Sequence, residues 1–133
     1  MEKVRKNTNR SSLKYIEMTS NQQKVCFIEK INSILNEKKG CIMRIPSTPV
    51  PKVTFWINSA ENKVGFTITR TNFKVGWYVY NKKWYPASYM EGMVYEKDYV
   101  PEDNWFNEEE NEFFNKVLLD SCGKNEVVKE LYK

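Results

Sequence analysis

The chain has 133 residues and no histidine. That absence removes the commonest general base and the usual partner of a catalytic thiol or hydroxyl. Cysteine is scarce as well. Cys26, Cys41 and Cys122 are odd in number, widely spaced and form no CxxC pair. Neither a disulfide framework nor a zinc site can be assembled from them. Cys26, within "VCFIEKI", reads as a small core residue. Only five glycines occur, scattered from Gly40 to Gly123, too dispersed for a phosphate-cradling loop.

Long apolar runs are missing too. None approaches the roughly 20 residues of a membrane span. The basic start "MEKVRKNTNRSS" has no apolar stretch of the kind a secretory signal carries. The expectation is a cytoplasmic protein without a membrane segment, cofactor or metal.

Catalytic candidates are thin. Glu96 and Asp98 stand two apart, and paired carboxylates serve acid and base roles in glycoside cleavage. Such spacing is common on solvated acidic faces. "ENK" at Glu61–Lys63 has the triplet of a metal-dependent nuclease, but no aspartate precedes Asp98. The chain is expected not to be an enzyme.

What is abundant is charge, unevenly placed, and aromatic side chains. Up to Lys52 there are 11 Lys or Arg against 4 Glu; from Val53 onward there are 10 against 13. Nine acidic residues and one lysine fall between Glu91 and Glu112. Such a two-ended charge distribution bears on partners rather than fold. The stretch Lys74–Val100 holds two tryptophans and six tyrosines.

Residues 1–12, polar and basic, read as a flexible arm, and 13–133 as a single α+β domain. "TSNQ" caps a helix whose apolar stripe is Val25, Ile28, Ile31 and Leu35, helped by Phe27 and Ile34. Tyr15 and Met18 read as a backward extension of that helix or a short one of their own. Lys38, Lys39 and Gly40 suit its end. "CIMRI" reads as a short strand, broken by "PSTPVP". Three alternating runs follow, "KVTFWIN", "KVGFTITR" and "KVGWYVY", then a tight hairpin at Asn81–Lys82 into "KWY". "MVYEKDYV" is a candidate further strand. "NEEENEFFNKVLLDSCG" and "NEVVKELYK" read as C-terminal helices. The whole predicts an N-terminal helix, an antiparallel meander of four to five strands, and one or two C-terminal helices.

Period-two alternation sorts the strands. Val53, Phe55 and Ile57, with Val64, Phe66 and Ile68 and with Val75, Trp77 and Val79, form one inner face. A four-residue turn after Asn58 places Trp56 opposite Gly65. If Arg70 opposes Val75, Tyr80 lies next to Gly65 and Tyr78 next to Thr67. The second face then carries Trp56, Tyr78 and Tyr80, with Tyr85 beyond. The C-terminal stripe of Phe113, Phe114, Val117 and Leu118 is expected to cover it, leaving Tyr78 and Tyr80 partly exposed. The competing arrangement leaves the face open, as a platform.

Two binding functions follow. The leading expectation is a small non-enzymatic protein that inhibits or regulates another protein. Its contacts would be the aromatic face (Trp56, Tyr78, Tyr80, Tyr85) and the acidic-aromatic segment (Glu96, Asp98, Glu102, Asp103, Trp105, Glu108, Glu109). Carboxylates among aromatics imitate nucleic acid. The Lys, Asn, Glu and Ile bias matches AT-rich phages and mobile elements, whose small anti-defence inhibitors often work so. The alternative is a binder of single-stranded nucleic acid. Lys3, Arg5, Lys6 and Arg10 of the arm, with Arg70, Lys74, Lys82 and Lys83, would contact phosphates while bases stack on the aromatic face.

Overall fold

The computed structural model describes residues 12–38, 43–87 and 106–133. Its elements are β1 (Leu13–Glu17), α1 (Asn21–Asn36), β2 (Lys52–Asn58), β3 (Lys63–Arg70), β4 (Phe73–Tyr80), β5 (Lys83–Pro86), α2 (Glu108–Cys122) and α3 (Glu126–Leu131). The strands form one five-stranded antiparallel sheet in the order β1-β2-β3-β4-β5. This is the expected α+β arrangement of helix, meander and C-terminal helices. The basic arm and "MVYEKDYV" lie outside the described residues.

The inner face is the one that alternation predicts. Val53, Phe55, Ile57, Val64, Phe66, Ile68, Val75, Trp77 and Val79 are all buried. Phe27 and Phe114 converge on Phe66, at ring-centre distances of 5.0 and 5.8 Å. Such edge-on and offset ring pairs add to the stabilisation from area burial. Ile28, Ile31, Ile34 and Leu35 of α1, Leu118 and Cys122 of α2, and Val128 of α3 complete the same core. Within that core the Nε1–H of Trp77 has no hydrogen-bond partner among the described residues.

The helix starts follow their sequence signals. Ser20 caps α1 by accepting from Gln23 N, and Asn107 and Glu110 form a reciprocal capping box on α2. Glu110 also pairs with Lys38, and both side chains are largely buried. That ion pair ties the end of α1 to the start of α2, so Lys38 serves as more than a solvated charge at a helix terminus.

Four expectations are corrected. Residues 13–17 form an edge strand, not helix. Tyr15 pairs with Trp56 and Glu17 with Thr54. Ser59 N, bonded to Ser12 O at 2.8 Å, and Met18 N, bonded to Val53 O at 2.9 Å, hold its two ends. Met43–Ile45, the described part of "CIMRI", is not a strand. Asn32 of α1 takes the place of a neighbouring strand there. Its side-chain amide donates to Ile45 O at 2.7 Å and accepts from Ile45 N at 2.8 Å, so one side chain satisfies both backbone groups of a buried residue.

The β3–β4 register is the third. Arg70 pairs with Phe73, so Gly65 faces Tyr78 and Thr67 faces Gly76. The connection is only Thr71–Asn72, because half-buried Phe73 packs against the core and extends the strand. A shift of two residues keeps every side chain on its expected face. Last, Cys26 is exposed, whereas Cys122 is buried.

Turn chemistry sets the other two hairpins. Asn62 ends the β2–β3 turn at φ 52°, and Asn58 Oδ1 accepts from Ala60 N and Glu61 N within it. Asn81 and Lys82 both take positive φ, 52° and 63°, the requirement of a two-residue hairpin whose twist matches its strands.

Candidate functional site on the outer sheet face

The outer face follows from the same alternation. One transverse row runs across all five strands: Tyr15, Trp56, Gly65, Tyr78 and Tyr85, each paired with the next. Four of its five members are aromatic. Gly65 in the middle is required by its neighbours. A Cβ there would collide with the Trp77 carbonyl oxygen and stand 2.7 Å from Trp56 Cε2. The Trp56 indole therefore occupies the space over the glycine where a side chain would stand. Tyr78 and Tyr85 stack on each other at 5.6 Å.

The expected covering helix is elsewhere. Phe114 and Leu118 of α2 point into the core on the inner face. Two asparagines fix α2 on that side. Asn111 Oδ1 accepts from Trp84 N at 2.8 Å, and Asn115 Oδ1 accepts from Trp84 Nε1 at 2.8 Å. Asn115 also donates to Lys82 O and accepts from the Tyr132 hydroxyl. Among the described residues no helix packs on the outer face. Tyr15 is 64% exposed, Tyr80 66% and Tyr78 37%. Trp56 and Tyr85 are half-buried.

Charge divides between the two layers. Among the described residues, the outward positions of the strands hold four exposed lysines, Lys52, Lys63, Lys74 and Lys83, and one carboxylate, Glu17. The three helices carry eight carboxylates against four lysines. Lys52 and Lys74 flank Thr69 on one side of the aromatic row; Lys63 and Lys83 lie on the other. Lys63 makes an exposed ion pair with Glu61 at 3.5 Å, a contact of little energetic weight in water. Between Leu13, Tyr15, Trp56, Thr67 and Gly76 the surface dips into a depression of about 290 Å³.

The expected site residues thus separate. Trp56, Tyr78, Tyr80 and Tyr85 share one surface, with Lys74 and Lys83. Arg70 belongs to the inward-facing register at the β3–β4 turn, and Lys82 sits at a hairpin tip bonded to α2. Neither frames the aromatic row. Glu108 and Glu109 are exposed in the first turn of α2, on the helical layer. Lys3, Arg5, Lys6, Arg10, Glu96, Asp98, Glu102, Asp103 and Trp105 lie outside the described residues. Tyr15, Lys52 and Lys63 were missed. Lys52 and Lys63 share the strand parity of Trp56 and Gly65, which was legible. Tyr15 needed "LKYIE" to be read as a period-two strand.

No group of three or more His, Cys, Asp or Glu suited to a metal ion occurs among the described residues. No helix among them is long and apolar enough to cross a membrane. No family model, curated protein or solved structure matches the chain.

Proposed function

We propose that this chain is a small, non-enzymatic binding protein and that the outer face of its sheet is the contact surface for a macromolecular partner. The supporting observation is the row Tyr15–Trp56–Gly65–Tyr78–Tyr85, built on paired strands and backed by a packed core. Rigid aromatic anchors of this kind dominate recognition surfaces, since they offer large contact area at little cost in side-chain freedom. The outward side chains are rings, threonines and lysines around one carboxylate, a set that suits gripping better than acid–base chemistry. An inhibitor or regulator acts in this way, by covering a partner's surface rather than turning over a substrate.

A protein partner held through the acidic-aromatic segment receives less support from the described residues. Of that segment only Glu108 and Glu109 fall within them, on the opposite layer from the aromatic row.

The test is a pair of measurements on Tyr80→Ala and Tyr78→Ala. Both variants should unfold within about 1 kcal/mol of the parent, as surface sites do. Nitration of Tyr15, Tyr78 and Tyr80 in the free protein should proceed readily. Protection of these three tyrosines, or a stability loss of about 3–5 kcal/mol typical of a buried aromatic, would remove the outer face as the site.

A further inference from the structure

We infer that the partner of the outer face is single-stranded nucleic acid, lying across the strands with its bases on the aromatic row. This rests on the outer face being the contact surface. It adds the chemistry of the occupant, for which three observations argue together.

The first is charge. The strands of the face present four lysines and one carboxylate, while the described helices carry eight carboxylates against four lysines, with Lys38, Lys124 and Lys133 at their ends. A polyanion is attracted to the first more strongly than to the second. The lysines stand on both sides of the row rather than within it, where a backbone of phosphates would run if its bases occupied the centre.

The second is the shape of the row. Neighbouring strands are roughly 4.8 Å apart, so five strands set the row at about 19 Å. Trp56 lies against Gly65, with its indole half-exposed on the outer face. Tyr78 and Tyr85 present a second, stacked pair. The depression beside Trp56 and Gly76 leaves room for the edge of a planar group. Ring faces displayed in this way serve bases that are unstacked, as in a single strand. In a duplex the base faces are already covered by their neighbours.

The third is what surrounds the rings. The polar groups near the row are the tyrosine hydroxyls and Trp56 Nε1–H of the row itself, the hydroxyls of Thr54, Thr67 and Thr69, the Glu17 carboxylate, lysine ammoniums, and the Asn58 amide, whose oxygen and nitrogen are already engaged within the β2–β3 turn. None offers the paired, fixed donor and acceptor set that a guanidinium or a locked amide brings to a base edge. Recognition by stacking is tolerant of sequence, because every base has a π-face. The site is therefore expected to accept single strands with weak base preference.

The experiment uses the full chain with labelled 12-residue oligonucleotides, oligo-dT and a mixed sequence, followed by fluorescence anisotropy. Wild type should bind both single strands at about 50 mM salt and bind the duplex of the mixed sequence at least tenfold more weakly. Tyr78→Ala should weaken single-strand binding by about 5- to 150-fold, the equivalent of one stacked base. Lys74 and Lys83 also have interactions within the protein, so two to four phosphates are neutralised. The slope of log affinity against log salt should then lie between about −1.4 and −2.8. The joint change Lys52→Glu with Lys63→Glu should flatten that slope.

No binding at about 50 mM salt, with Tyr15, Tyr78 and Tyr80 still open to nitration, overturns the nucleic-acid inference and leaves the face to a protein partner. Binding unaffected by Tyr78→Ala and by Trp56→Ala overturns it as well. Protection of the three tyrosines in the free protein instead overturns the reading of the face itself.

Discussion

Trp56 lies across Gly65 on the neighbouring strand, and any side chain at position 65 would occupy the space its indole uses. The pair explains why a glycine stands in the middle of a strand, where its missing side chain and backbone freedom weaken the sheet.

Gly65→Ala should therefore lower stability by about 1–3 kcal/mol, the usual penalty of overpacking, and lift Trp56 off the sheet. In a Trp56→Ala background the same change should cost less, with the remaining loss due to the clash with the Trp77 carbonyl. Chemical denaturation of the four proteins gives the coupling. Full additivity would show that the two residues do not share that space.

Two asparagines beside its apolar stripe tie α2 to the inner side of the sheet. Asn115→Ala strips Trp84 Nε1 and the Tyr132 hydroxyl of their acceptor and Lys82 O of its donor. Leaving buried polar groups unmatched costs about 1–3 kcal/mol, so thermal unfolding should move to distinctly lower temperature. With Trp84→Phe already in place, the loss on Asn115→Ala should shrink. An equal loss in both backgrounds would contradict the role given to the indole N–H.

This is also where the sequence stopped being readable. Phe114 and Leu118 mark α2 as amphipathic, yet a stripe alone does not say which face of a sheet it meets. The deciding signal was polar. Asn111 and Asn115 stand four apart on the same side of the helix as Phe114 and Leu118, and Trp84 N and Nε1 are their partners. Both inner and outer strand faces were legible because period two survives a register shift of two, as at Arg70–Phe73. β1 was hidden because five residues next to a helix cap support either period. The Asn32–Ile45 clasp imitates a strand neighbour with one amide, which no local pattern announces.

Alkaline pH offers a test of the core. Burial pushes the Cys122 thiol up from 9.0 to about 11, and burial pushes the Tyr132 hydroxyl up too, partly offset by the neighbouring Trp84 side chain. In the unfolded chain these groups lose their protons at lower pH. The unfolded state then holds fewer protons than the folded one, so stability falls as pH rises. Denaturant midpoints should be flat with respect to these groups below about pH 9 and decline between about 9 and 11. Cys122→Ala should remove part of that decline. A decline of the same depth in Cys122→Ala would place its origin elsewhere.

The most direct measurement of the central claim is a chemical-shift map of the isotope-labelled protein, titrated with a short oligo-dT at low salt. The outer face as a nucleic-acid platform predicts the largest changes at Tyr15, Trp56, Gly65, Tyr78 and Tyr85, with smaller ones at Lys52 and Lys63. The amides of α1 and α2 should hardly move. Changes centred on the helices, or an unperturbed spectrum at saturating oligonucleotide, would contradict it.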